Sequence, residues 1–548
     1  MDLEKHDSPS LSATTDGLPV LTSERLERAA REHQHFEKRD GRFILDPEEA
    51  RQEFGDEIAK SLKLSDDGKY VLWPQPMGED DPQSWSEGKK RLTLIVAALA
   101  AFVPDFSSGV GIASLFNLAK QFETTPNNIN NLTSNWSIFL LGPGGILAVI
   151  LARRFGRLPV MFWSQVFGVA FMVGCTFSQN LATFAGMRCL QAFFSTAPQV
   201  TGLYVATDIY PVHRQNRAIA LWTLFYIVSP FMSPWLFGYL CARQSWRWAY
   251  GAGALYGLVV VLLIAFLLDE TMYDRHLGHQ RLQQLKEGQS KGLRHRIEKL
   301  VGVVGWRLRK HRTPFLQSIK DFLDVLWRPH FFLPLILIMF GQSFGFTIGI
   351  NVTNPVFLAT PKPIGFGLKE DLVSTMYLTP IVGALIGEVL ARFLAQISTR
   401  ISLRRNHGVL ESEDLLLPTI PGIVLYVIGM CLFGWANLHK ESLAGVIFGW
   451  GLVEVGTLIM VVAVLAKSSL DFPGREGEIS ALVNQARVLG GFAVPYFETI
   501  WAERDGSLVV FGAEGGIVAG LWLLSVPTLF LFGKSLRERF SIKQQQHA

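Results

Sequence analysis

Twelve apolar stretches, most of about twenty residues, punctuate this chain between positions 92 and 532. That pattern constrains the fold more than any motif, because a helix rising about 1.5 Å per residue needs about 20 apolar residues to cross roughly 30 Å of hydrocarbon. The stretches fall at 92–116, 131–152, 158–178, 182–207, 217–240 and 249–268, then at 331–358, 373–397, 418–436, 443–466, 480–501 and 510–532. Only 18% of residues are charged and 49% are hydrophobic, too apolar a balance for a string of water-soluble domains. The reading is an all-α polytopic membrane protein, with twelve transmembrane helices in two pseudo-symmetric six-helix bundles.

The partition that follows is a cytosolic, mostly disordered tail over 1–90, with a short helix near Glu24 to Glu37; a first bundle over 91–268; a basic linker over 269–330; a second bundle over 331–532; and a tail over 533–548. Basic residues collect in alternate loops and set the orientation. Arg153, Arg154 and Arg157 follow span 2, Arg214 and Arg217 follow span 4, and Arg400, Arg404 and Arg405 follow span 8. The linker adds Arg294, Arg296, Lys299, Arg307, Arg309, Lys310 and Arg312, a density of cations suited to an anionic inner leaflet. Lys534, Arg537, Arg539 and Lys543 place the second terminus on the same, cytosolic side, whereas Arg243 and Arg247 on the opposite side weaken the asymmetry. The polar start has no hydrophobic signal core and begins Met-Asp, which fits neither secretory cleavage nor myristoylation. Cys175, Cys189, Cys241 and Cys431 sit in or beside apolar segments, read as buried thiols without metal-ligand spacing. Glycosylation triplets at Asn131, Asn135 and Asn351 lie at or within spans, out of reach of the modifying enzyme.

A charge at the bilayer centre costs about 2.5–3.5 kcal/mol on insertion scales, so each ionisable residue within a span requires a reason. Asp105, Arg188, Glu388, Glu454 and Glu498 are such residues. In span 4, Arg188, Gln191, Ser195 and Gln199 share one helical face. That face reads as a cavity wall in which Arg188 holds an anion or tunes a carboxylate, the alternative being a snorkelling or structurally paired arginine. Asp105, after Pro104, reads as a cation- or proton-carrying group or as packing polarity. Glu454 divides between proton or substrate involvement and an inter-helix salt bridge, and Glu498 is read as near the outer surface and solvated. Asn135, Tyr226, Gln342, Asn351, Asn484 and Arg487 complete the candidate cavity set. Glu388 and Arg392, one turn apart, read as a structural or gating pair. Pro230, Pro234 and Gly238 recur every four residues in span 5, permitting close helix approach and bending.

No phosphate-binding Gly-x4-Gly-Lys-Ser/Thr loop, His-Glu-x-x-His or Gly-x-Ser-x-Gly occurs, which argues against an ATP-driven pump and against an enzyme. No cofactor, metal or nucleic acid is implied; the partners read are a small-molecule substrate, protons and the lipid bilayer. From about Gly78 to Arg539 the chain resembles a fungal member of the major facilitator superfamily, in its drug:proton antiporter-like branch. Arg188-Cys189-Leu190-Gln191-Ala192 resembles an Arg-x-x-Gln-Gly element whose Arg is associated with proton coupling. Ser229-Pro230-Phe231-Met232-Ser233-Pro234 with Gly238 is similar to the Gly-Pro-rich antiporter motif. Leu151 to Pro159, holding Arg153, Arg154, Gly156 and Arg157, is similar to a cytosolic gating signature, but Arg153 stands where an Asp is usual; Asp208 opens a further stretch common in the group. The resemblance implies alternating access driven by protons, in a plasma-membrane monomer that exports a drug, toxin or secondary metabolite. An importer of an organic cation or nutrient, and a non-transporting sensor on the same scaffold, are the other readings.

Overall fold

Each apolar stretch folds as a helix because hydrocarbon leaves backbone polar groups no partner but one another. The computed structural model describes residues 42–78, 80–274, 292–347, 349–361, 365–440 and 442–540. We label the membrane helices α1 (Glu87–Ala113), α2 (Asn130–Phe155), α3 (Arg157–Phe177), α4 (Leu181–Ser195 and Ala197–Ile209), α5 (Val212–Cys241) and α6 (Trp246–Leu267). The second half holds α7 (Pro329–Ala359), α8 (Glu370–Arg405), α9 (Thr419–His439), α10 (Leu443–Asp471), α11 (Glu476–Asp505) and α12 (Ser507–Arg539). Among the described residues ten helices are long and apolar enough to cross a membrane. The other two are explained by their sequences. Thr196 interrupts α4 just before Pro198, which has no N–H to continue the ladder, and α11 carries Glu478, Arg487 and Glu498 inside the bundle.

Within the halves, α1 packs on α5, α3 on α6, and α10 on α8 and α9; the halves meet along α2 with α11 and α5 with α8. Gly109 permits the α1–α5 approach, since a Cβ there would lie 2.8 Å from the Pro230 carbonyl oxygen. The outer faces of α6, α8 and α12 expose Leu255, Phe266, Val389, Phe393 and Leu531, as lipid contact requires. Cys175 and Cys241 are buried, but Cys431 lies on the exposed face of α9, so the reading of four buried thiols is corrected there.

A second correction concerns the first 90 residues. The helix read near Glu24 to Glu37 lies outside the described residues, but residues 42–78 and 80–86 are folded. Strand β1 (Arg42–Ile44) pairs antiparallel with β2 (Val409–Glu411) after α8, Phe43 opposite Leu410. The chain then returns: Val71 N–H donates to the Leu45 carbonyl (2.9 Å), the Trp73 indole N–H to the Ile44 carbonyl (2.8 Å), and Val212 N–H at the start of α5 to the Trp73 carbonyl (3.0 Å). Phe43, Leu45, Val71 and Trp73 are buried with Val212, Leu415 and Leu470. This strap covers the end of the molecule that carries β1 and the last turns of α12, called here the terminal end. The linker contributes helices Leu293–Val301, Val303–Leu308 and Phe315–Leu326 to the same end.

Candidate functional site

Asp105 follows Pro104, which withholds an N–H from the middle of α1, and is only 3% exposed. Such a carboxylate needs a cation or several donors. Both come from outside its helix. Arg487 of α11 reaches it with Nη1 at 2.8 Å from Oδ2 and Nη2 at 3.5 Å from Oδ1, and the Gln199 amide of α4 donates to Oδ2 at 2.6 Å. Arg487 also donates to Asn484 Oδ1 (2.8 Å), while Asn484 Nδ2 donates to the Leu141 carbonyl of α2 (3.1 Å). The Tyr226 ring lies 5.9 Å from the guanidinium carbon. Charge from one half is thus neutralised by charge from the other, deep inside the bundle.

Two narrow chambers flank this pair. One, toward the terminal end, is lined by Gln199, Trp222, Tyr226, Gln342, Asn484 and Arg487; the other by Asp105, Ser108, Ile138, Pro230, Asn351 and Arg487. Each leaves about 10 Å³ for the centre of a water molecule, room for about one. The Asn351 side-chain oxygen is buried and has no hydrogen-bond partner among the described residues, and the Gln342 amide shares its chamber with the Tyr226 hydroxyl. Asn135 binds the Phe492 carbonyl (3.1 Å) where α2 meets α11, beside the chambers rather than lining them.

Arg188 does not line this space. It is fully buried, donating to the α1 carbonyls of Ser107 (2.9 Å) and Ser108 (3.2 Å) and to Gln191 Oε1 (3.2 Å), with the Tyr250 ring 5.5 Å away. Gln191 passes the chain to Ser195 at 3.1 Å, so of the polar face of α4 Gln199 alone reaches the carboxylate, and the cavity-wall reading of Arg188 is corrected. Glu454 is buried in α10 beside Gly383 of α8 and lines neither chamber. Glu498 is fully buried and accepts from Thr353 at 2.9 Å, which overturns the solvated reading. Periodicity identifies a polar face; it cannot identify which helix that face meets.

Both ends are closed. At the terminal end Arg153 of α2 pairs with Glu478 of α11 and with Asp321 of the linker (2.6 Å), and Asp321 also receives Arg475 (3.2 Å). Tyr204 donates to Glu478 at 2.7 Å. Arg157 pairs with Asp208, its guanidinium carbon 4.1 Å from the Tyr204 ring centre, while Arg154 sits 4.6 Å over Phe315. Gly156, at φ +105°, lets the chain turn so that Glu270 accepts from the first N–H groups of α3, at 3.0 and 3.2 Å. Glu388 and Arg392 form an ion pair within α8. At the far end the closure is thinner: Tyr239 meets Thr375 at 2.6 Å, and Gly238 abuts Ser374. A vestibule lined by Ile112, Phe116, Pro234, Glu370 and Tyr377 lies there.

The architecture is matched by a family model described as Major Facilitator Superfamily over residues 95–495. The chain belongs to the Major Facilitator Superfamily. Among curated relatives of this major facilitator, it is 23% identical to Efflux pump radE of Floropilus chiversii over 87% of each chain. It is 25% identical to MFS transporter cpaT of Aspergillus oryzae, over 85% of this chain and 91% of that one. It is also 25% identical to the Trichosetin biosynthesis cluster MFS transporter of Gibberella fujikuroi, over 90% and 95%. Among solved structures, the proton:xylose symporter XylE bound to 6-bromo-6-deoxy-D-glucose superposes with TM-score 0.56 at 15% identity, covering 83% of this chain and 99% of the other. The human organic anion transporter MFSD10 gives 0.54 at 13% identity, over 80% and 99%. As a major facilitator with apolar helices, the chain is an integral membrane protein.

Proposed function

We propose that this major facilitator exports a small organic molecule, of the drug, toxin or secondary-metabolite kind, by proton-coupled alternating access. Its termini lie in the cytosol and it works as a monomer in the plasma membrane. The observation that carries this reading is the Asp105–Arg487 pair, which joins the two halves at the chambers between two closed ends. Carriage rather than catalysis suits such a site: it offers a carboxylate, a guanidinium, amides and aromatic rings, in a space that must expand to admit a substrate.

A proton on Asp105 removes the charge that holds Arg487, leaving the guanidinium to the substrate or to Asn484. Loss of that proton restores the pair and draws the halves together around a smaller cavity. Exchange of proton for substrate at one place is the economy of an antiporter. Export is supported by the fungal relatives, one named an efflux pump and another a biosynthesis-cluster transporter. The cytosolic assignment of the terminal end is supported by its basic loops at Arg153, Arg214 and Arg404. Arg153, which stands where an Asp is usual in the gating signature, forms ion pairs with both Glu478 and Asp321, and this supports a working gate over a non-transporting sensor.

The test is flux in proteoliposomes across an imposed pH gradient, with candidate substrates chosen from compounds that accumulate in cells lacking the protein. Wild type is expected to concentrate substrate against its gradient, and Asp105→Asn to equilibrate it without concentrating it. Uphill transport by Asp105→Asn would remove the carboxylate from the coupling step.

A further inference from the structure

The linker helix Phe315–Leu326 presents two opposed faces. Ser318, Asp321, Phe322 and Val325 are buried against α2 and α11. Leu316, Ile319 and Leu323, with Trp327 just beyond the helix, follow at intervals of three, four and four residues and are exposed, Leu316 by 66% and Leu323 by 59%. Helix Leu293–Val301 repeats the arrangement with Leu293, Ile297 and Val301 exposed at intervals of four. Trp306, stacked 5.8 Å from Phe155, is exposed as well. In water this would be a large uncovered apolar surface.

Two observations identify what covers it. The first is continuity: the Trp327 ring lies 5.7 Å from Phe540, next to the end of α12, whose exposed Leu531 and Phe532 belong to the lipid-facing surface. The second is charge: residues 292–328 hold nine Lys and Arg against three Asp and Glu, with Lys320 within the apolar stripe and Arg309 over Trp306. Apolar stripes bordered by cations characterise helices that lie in the boundary of a negatively charged bilayer.

We propose that the linker helices lie on the anionic phospholipid surface of the leaflet at the terminal end, and that this seating holds the terminal latch. The coupling follows from the opposed faces. Asp321, across the helix from Leu316 and Leu323, receives Arg153 from the first half and Arg475 from the second. A helix held by lipid keeps that carboxylate where both arginines reach it, and a helix drawn out of the interface takes it away. The inference rests on the membrane architecture and not on the direction or substrate of transport.

The test uses the full chain with Cys431 replaced by serine and a nitroxide on Leu323→Cys, in phosphatidylcholine vesicles with and without phosphatidylglycerol. Deeper burial, read as higher collision with oxygen than with a water-soluble nickel chelate, is expected when phosphatidylglycerol is present. Dominant collision with the chelate in both vesicles, or equal depth in both, would overturn the proposal. Maleimide labelling of Ser480→Cys, which faces the chamber behind the latch, reads the coupling. Labelling is expected to be slow with phosphatidylglycerol and several-fold faster without it or in Leu316→Glu/Leu323→Glu. Both leucines are exposed and outside the packed core, a monodisperse size-exclusion profile in detergent checks that the variant is folded, and unchanged labelling of folded protein would refute the link to the latch.

Discussion

Asp105 and Arg487 stand 382 positions apart and meet at 2.8 Å, so each is the main reason the other is tolerated in a dry interior. Removing one partner of a buried pair strands the other, at a cost of about 3–5 kcal/mol, whereas removing both is close to neutral. Arg487→Gln is therefore expected to lower the thermal midpoint in detergent sharply, and Asp105→Asn/Arg487→Gln to recover most of the loss. A double variant as unstable as the sum of the singles would show that the two groups do not interact. Arg188 makes the contrasting case. Its bonds to the Ser107 and Ser108 carbonyls hold α4 to α1, each contributing about 1.5 kcal/mol or more as a charged hydrogen bond. Arg188→Ala is expected to cost about 3 kcal/mol of stability and to leave the affinity of the folded fraction for substrate unchanged. A selective loss of affinity, with stability intact, would return Arg188 to the cavity wall.

At the scale of elements, apolar length made the spans legible. The boundaries read at 182–207, 443–466 and 510–532 became helices that begin within three residues of those starts, because the length of hydrocarbon is a property the chain cannot evade. Other elements left no such trace. The π-helical turns Asn130–Asn135 and Ser343–Thr347 depend on packing in the assembled bundle, and their sequences read like ordinary span ends. The strap was missed because its anchors, Phe43, Leu45, Val71 and Trp73, are scattered among charged residues, and their burial depends on loops hundreds of positions away. Its two ends hold different halves, β1 on the loop after α8 and Trp73 on the start of α5. Opening of the terminal end must stretch that connection. Trp73→Ala removes the indole bond to Ile44 and leaves a cavity, a loss of about 3–5 kcal/mol for a buried tryptophan. The expected outcome is ready proteolysis between residues 42 and 86 and faster turnover; a protease-resistant strap with unaltered turnover would show that it does not restrain the halves.

Across the whole molecule, the two closures differ in construction, and the difference bears on which way the resting protein opens. The far end relies on a hydroxyl contact, Tyr239 with Thr375, and a glycine against a serine, while the terminal end is fastened by Arg153, Arg475, Asp321, Glu478 and Tyr204. From sequence alone Arg153 reads as a defect in a gating signature, since the motif says what residue is usual and nothing about the charge it faces. The fold supplies that charge: Glu478 on α11 and Asp321 on the linker face Arg153, so this end is fastened by ion pairs whose cation is an arginine on α2. Reversing one member places like charges in contact and destabilises the closure by several kcal/mol, whereas reversing both restores attraction between α2 and α11. Arg153→Glu is thus expected to lengthen the distance between spin labels on the terminal ends of α2 and α11, and to expose Ser480→Cys to maleimide. Arg153→Glu/Glu478→Arg should shorten the distance again and recover part of the protection, Asp321 being left facing a glutamate. If the single reversal leaves the distance distribution unchanged, the closed terminal end is maintained by helix packing, and the ion pairs only follow it.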